Sequence, residues 1–312
     1  MTPAGFAPGD TDARRLEPVQ IETPDGELTA TFAPGAGMLC ASLRRRGEEL
    51  LAQRAGPAAY LERGKTMGIP LLHPWANRLA GNGYACAGHA VELAPDSPLI
   101  GRDPQGLPIH GVQPRWLDWR MLDRRTDALT AELEWSSQPL LSVFPFPHVL
   151  RYEAIVADSS LTIAVTLRAG DPEPVPVAFG FHPYLSLAGM ARERWTVKVP
   201  VRERLVLDSR MIPTGAREPF AGEPVELAQS GWDDAFASIT RPARFSATAH
   251  GQALTVEFLE GFDYAQVFSP ADAEFVCFEP MTAPANALNS GEGLRFVEPG
   301  EELRAAFRIE VA

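Results

Sequence analysis

Apolar and polar residues alternate with a period of two along much of this chain. In a strand, neighbouring side chains point to opposite faces, so such a run lays one apolar stripe against a core. Residues 27–33 (ELTATFA), 116–122 (WLDWRML), 128–135 (ALTAELEW), 244–259, 264–269 (YAQVFS), 274–279 (EFVCFE) and 303–311 (LRAAFRIEV) all read this way. Residues 149–169 read as a hairpin around Asp158-Ser159-Ser160, and 38–51 as a strand entering a turn at Gly47. Few segments hold a helical period for three turns, and residues 48–63 are expected to supply one short helix.

The 29 prolines and 26 glycines fall mostly between these runs, where they punctuate turns. Strands do not alternate with helices, which excludes a parallel α/β sheet and leaves antiparallel sheets packed as a sandwich or barrel. No fixed-length repeat points to a propeller or solenoid. The expectation is an all-β chain with few short helices: a flexible tail over residues 1–16, then one domain over 17–312.

Charge narrows the partners. The formal net charge is −12, and Arg44-Arg45-Arg46 is the longest basic run. Nucleic acid and anionic membrane both require a cationic surface, so neither is expected. Lys65 and Lys198 are the only lysines. Cys40, Cys86 and Cys277 are far apart and odd in number, which suits a reducing cytoplasm. The N-terminal stretch lacks the features of a signal peptide, and no apolar run reaches the roughly 18 residues of a membrane helix. Phosphate-loop, dinucleotide, serine-hydrolase and zincin motifs are absent, and no two of the six histidines have metal-pair spacing, so no metal site is expected.

Four stretches carry candidate chemistry. GIPLLHPWANRLAGNGY (68–84) is a proline- and glycine-rich loop bearing Trp75, Asn77 and Arg78. Together these offer an aromatic face, an amide and a guanidinium fork to a sugar, or else the arginine simply pairs with a surface carboxylate. GLPIHGVQPRWLDW (106–119) places His110 before Gly111, where backbone can bend sharply or admit a ligand. VAFGFHPYLSL (177–187) holds His182 among apolar and aromatic neighbours, as a satisfied core histidine or as an imidazole with a proton to give. FVCFEPMTAPANAL (275–288) ends an apolar strand on Glu279, a costly position unless the carboxylate is paired or has a task. GWDDAF (231–236) adds Asp233 and Asp234, which also fit a turn before a strand.

PWANRLAG, IHG, FGFHPYLSL, WDDAF and CFEPMTAPANAL, in that order over residues 68–288, resemble the aldose 1-epimerase (galactose mutarotase) family. The resemblance implies a large antiparallel β-sandwich of the galactose mutarotase-like kind, with a sugar cleft on one concave sheet. It implies a small-molecule sugar as partner, a monomer or homodimer, and neither metal nor organic cofactor. By resemblance His182 is the general acid and Glu279 the general base. Arg78 and His110 hold the sugar and its ring oxygen, Asp233 binds hydroxyls, and Asp234 is its easily confused neighbour. The implied activity is interconversion of the α and β anomers of a free aldohexose by ring opening and reclosure. That chemistry needs one acid and one base, expected on opposite sides of a short span.

Two departures from the pattern stand out. Met281-Thr282 follow Glu279 where a glutamine is usual, and Val112 follows His110-Gly111 where a second glycine is common; both positions are expected to sense sugar identity. Relatives acting on hexose 6-phosphates use arginine clusters, for which Arg78, Arg102 and Arg115 are candidates here. The remaining alternatives are a non-catalytic carbohydrate-binding protein, which would not need both His182 and Glu279, and a glycosidase with Asp233 and Glu279 as acid and nucleophile, in which His182 would be dispensable.

Overall fold

The computed structural model describes residues 17–187, 189–227 and 231–312, so the tail expected over residues 1–16 lies outside the described residues. Two large antiparallel sheets dominate. One has nine strands in the order Arg120–Arg124, Ala128–Trp135, His148–Ala157, Ser160–Ala169, Glu302–Val311, Gln252–Glu260, Ala243–Ala249, Thr196–Lys198 and Val225–Glu226. The other has eight: Pro213–Pro219, Val201–Leu207, Trp232–Ile239, Tyr264–Ser269, Val276–Met281, Gly180–Phe181 and Leu71–Leu72 in order, with Tyr184–Leu185 also paired to Val276–Met281. A four-stranded sheet formed by Val19–Glu22, Leu28–Ala33, Leu39–Arg45 and Glu48–Glu49 adds its own apolar face.

Period-two burial explains why the sheets meet. Along His148–Ala157 alternate residues are buried, and the hairpin partner Ser160–Ala169 is more apolar still. Rings from both sheets interdigitate between them: Phe181 lies 4.9 Å from Phe307, Phe278 5.9 Å from Phe245, and Tyr152 6.2 Å from Phe181 (centroid distances). The main apolar cluster runs without a break from Ile21 to Val311. This is a sandwich of facing sheets. Among the described residues helix is confined to short pieces, Gly56–Arg63 (the short helix expected within 48–63), Gln138–Val143 and Ala287–Ser290, and none of them is long and apolar enough to cross a membrane.

The structure corrects several expected elements. The strand expected at 116–122 begins only at Arg120, because Pro114–Trp116 form a 3-10 turn that buries Leu117 and Trp119 outside any ladder. GWDDAF is not a turn: Trp232–Ile239 is a strand in the interior of the eight-stranded sheet, and its polar residues hid the alternation. Pro213–Pro219 shows no apolar alternation because it is an exposed edge strand.

Candidate active site

Two loops far apart in sequence are stitched into one ribbon. The amide of His110 donates to the Asn77 carbonyl (2.9 Å), that of Leu79 to Pro108 (2.9 Å) and that of Val112 to His73 (2.9 Å). Asn77, His110 and Gly111 all have positive φ, at 56°, 62° and 68°. Gly111 is obligatory, because a Cβ there would stand 2.2 Å from the His73 carbonyl oxygen. Asn286 clamps the far end of the ribbon, donating its amide to the Arg78 carbonyl (2.8 Å) and accepting from the Ala80 amide at Oδ1 (2.9 Å). The PANAL stretch thus holds Arg78 in place. A buried imidazole pair backs the loop: His148 Nδ1 donates to the Phe146 carbonyl (2.6 Å), leaving its Nε2 to accept from His73 Nε2 at 2.9 Å.

Arg78 donates from Nε to Asp103 Oδ2 (2.8 Å) and from Nη1 to Asn77 Oδ1 (3.1 Å). Asn77 therefore orients the guanidinium. Trp75 differs from its expected part: it is 1 % exposed and packs in the core, 6.2 Å from Tyr84 between ring centroids, so its indole offers no aromatic face. Alternation along Trp232–Ile239 separates the two aspartates. Asp233 accepts from Gln266 Nε2 (2.6 Å), whereas Asp234 pairs with Arg204 (3.4 Å) on the other face.

His182 and Glu279 come together. Glu279 is central in Val276–Met281 and lies opposite Gln266 in the neighbouring strand, which links it to Asp233. His182 Nε2 is 3.2 Å from Glu279 Oε1, and their side chains are 6 % and 2 % exposed. The expectation of an acid and a base on opposite sides of a span is corrected: they touch. His110 adjoins them, its ring centroid 5.6 Å from that of His182.

Burial makes this group electrostatically unusual. It pushes the Glu279 carboxyl well above the usual carboxylate range, reinforced by Asp233 and opposed by Arg78. Burial likewise pushes His182 well below its ordinary value, helped by His110 and Arg54, and brings His110 down to about 3, with Arg78 contributing. Asp233 is raised by burial, against the hydrogen bond from Gln266. Glu279 Oε2, His182 Nδ1 and His110 Nδ1 are buried polar atoms with no hydrogen-bond partner in the protein. Buried polar atoms are normally satisfied, so three unpartnered ones together set this group apart from an ordinary core.

Four further residues shape the site without having stood out in the sequence. Tyr184 stacks on His182, with ring centroids 4.3 Å apart and planes 5° from parallel, and its hydroxyl lies 3.2 Å from His182 Nε2. That hydroxyl also meets Thr66 Oγ1 (2.5 Å) and accepts from Arg54 Nη1 (3.0 Å). Gln266, 2 % exposed, bridges towards Asp233. Tyr184 could have been found, since it stands two residues after His182 and shares its side of an extended chain. Met281 and Thr282, expected to sense the sugar, instead pack: Met281 sits with Leu72 and Ala76, and Thr282 Oγ1 donates to the Phe179 carbonyl (2.9 Å). Val112 is also buried, 4 % exposed, with its amide bonded to His73.

The aldose 1-epimerase family profile matches residues 19–310. The chain belongs to that family. Among curated relatives it is similar to the uncharacterized protein YihR of Escherichia coli K12, 24 % identical over 261 residues covering 77 % of this chain and 80 % of YihR. The uncharacterized YphB of the same strain is 25 % identical over 254 residues, covering 78 % and 83 %. Among solved structures, Slr1438 of Synechocystis sp. PCC 6803 superposes with a TM-score of 0.78 at 24 % identity over 100 % of this chain and 99 % of that one. A galactose mutarotase-like protein of Clostridium acetobutylicum gives 0.79 at 17 % identity over 92 % and 93 %. These likenesses establish the galactose mutarotase-like sandwich. Among the described residues of this family member, no three His, Cys, Asp or Glu side chains are grouped so as to hold a metal ion.

Proposed function

We propose that the protein is an aldose 1-epimerase that interconverts the anomers of an aldohexose at His182 and Glu279. The observation carrying this reading is the buried 3.2 Å contact between an imidazole and a carboxyl group whose remaining polar atoms lack protein partners. Ring opening removes the proton of the anomeric hydroxyl and protonates the ring oxygen. Both oxygens are bonded to C1, so the acid and base that serve them belong side by side.

The proton count supports the same reading. Glu279 as carboxylate takes the hydroxyl proton while protonated His182 gives one to the ring oxygen, leaving a carboxylic acid and a neutral imidazole. The aldehyde rotates about C1–C2, and closure on either face returns both protons. The pair thus alternates between an ionic and a neutral form without exchanging a proton with solvent. Burial favours the neutral form of both groups, and Arg78 opposes it at the carboxylate. In this reading Arg78 and His110, which lie beside the pair, hold the sugar and its ring oxygen, and Asp233, steadied by Gln266, takes hydroxyls. A binding protein would have no use for so costly a buried pair. Cys40, Cys86 and Cys277 are free, buried thiols, which supports a reducing compartment such as the cytoplasm.

The test is polarimetric: a freshly dissolved pure anomer of an aldohexose should approach equilibrium faster in proportion to added protein. A rate independent of protein for neutral and charged hexoses alike would refute the proposal.

A further inference from the structure

Arg54 is an arginine without a carboxylate. In a chain whose acidic residues outnumber lysine plus arginine 40 to 28, its exposed guanidinium makes no ion pair among the described residues. Its Nη1 donates to the Thr66 carbonyl (3.1 Å) and to the Tyr184 hydroxyl (3.0 Å). Its central carbon lies over two rings, 4.9 Å from the Tyr184 centroid and 5.5 Å from that of Phe275. The local backbone is shaped to put it there. Arg54 has φ 43°, a left-handed conformation that few non-glycine residues adopt, and two residues earlier the Ala52 amide donates to the Tyr184 carbonyl (2.9 Å). The charge is thus fixed against one side chain.

That side chain meets His182 face to face. The two ring planes are 5° from parallel, so all atoms of the phenol stand at nearly one height above the imidazole. A hydroxyl oxygen 3.2 Å from Nε2 therefore lies almost directly over that nitrogen, not in the plane of its ring. An imidazole nitrogen donates or accepts in the ring plane, so the tyrosine leaves this edge of Nε2 to Glu279 and to whatever enters the site. What reaches the imidazole through the phenol is the charge behind it.

The charged and titratable groups facing His182 are Glu279 from Val276–Met281, His110 from the stitched loops, Tyr184 from its own segment, and Arg54 beyond Tyr184. Phe268 adds an apolar wall 5.8 Å away. Arg54 bears on the imidazole, whereas Arg78 and Asp233 bear on the carboxyl. A guanidinium donating to the oxygen above Nε2 draws negative charge away from the imidazole face, which disfavours the imidazolium.

We infer that Arg54 is a positioning residue which, acting through the Tyr184 hydroxyl, loosens the hold of His182 on its proton. That this proton goes to the ring oxygen of a sugar rests on the proposed epimerase reading; the control of His182 does not.

The test reads His182 directly. NMR of protein labelled with 15N in the histidine rings, from pH 5 to 10, follows loss of the proton that His182 and Glu279 share, the His182 signals being those missing in His182→Gln. Arg54 is exposed, so Arg54→Gln leaves the core untouched. Without the cation the proton is held more tightly, and its loss should move up by about half a pH unit, an effect limited by solvent around the guanidinium. Tyr184→Phe keeps the stack but not the hydroxyl; in that background Arg54→Gln should move the midpoint less than half as far. No shift, a downward shift, or a full-sized shift in the phenylalanine background would overturn the inference. The alkaline limb of the pH–rate profile for anomer exchange should move up with the NMR midpoint. A limb that stays put while the midpoint moves, or no accelerated exchange at all, would sink the epimerase reading and leave the control of His182 standing.

Discussion

Replacing Glu279 by glutamine separates the chemistry of the site from its architecture. The amide matches the carboxyl in size, and its oxygen can still accept from His182 Nε2, now 3.2 Å from Oε1. What disappears is the base of the proposed reaction. Loss of one general base costs about 10² to 10⁴ in rate, or roughly 3 to 5.5 kcal/mol on the barrier. Stability should move the other way. Because burial raises the folded-state pKa of Glu279, the group adds stability at pH values below its unfolded value, and this is lost as pH rises through the folded value. Each tenfold preference of the folded state for the protonated carboxyl corresponds to about 1.4 kcal/mol lost once the pH has passed that value. Glutamine cannot ionise, so the variant should keep its stability where the wild type declines. The assay pairs NMR anomer exchange with urea unfolding at pH 6 and 9. A variant within tenfold of wild-type exchange, or one whose unfolding midpoint falls with pH as steeply as that of the wild type, would refute the reasoning.

Two further outcomes follow from the fold. Gly111→Ala should lower stability by about 3 kcal/mol by urea titration, combining a left-handed alanine with a broken loop contact, and should raise KM by displacing His110. Acid should destabilise the protein well before its surface carboxylates titrate. His148 is held down to about 4 by burial, against the Phe146 hydrogen bond, so the stability it contributes is present above its unfolded value near 6.5 and lost as pH falls towards 4. Between pH 6.5 and 5 this residue alone accounts for about 1.6 kcal/mol, which a pH series of unfolding midpoints in wild type and His148→Gln measures.

How much of this was legible in the chain depended on whether a residue declared its own surroundings. Residues 128–135 and 264–269 alternate plainly because one face meets the core and the other does not, and both are strands over those residues. His182 and Glu279 were visible as titratable groups embedded in apolar runs. Gln266 was not, since an amide in YAQVFS looks like any outward residue until the pairing sets it opposite Glu279 and within reach of Asp233. Trp75 misled in the opposite direction: a tryptophan in a polar loop suggests display, but the loop folds back and drives the ring into the interior. The distance between acid and base also lay beyond sequence, because it depends on how the Phe181–Tyr184 crossing meets the strand carrying Glu279.

The placement of Glu302–Val311 between Ser160–Ala169 and Gln252–Glu260 bears on biosynthesis. Until that segment leaves the ribosome, the nine-stranded sheet exists as two halves with raw, apolar inner edges, and a chaperone or slow collapse must shield them. Losing this ten-residue strand would therefore remove the join between the two halves of the sheet. It would leave a nascent-like species prone to aggregate, with the site around His182 and Glu279 never assembled.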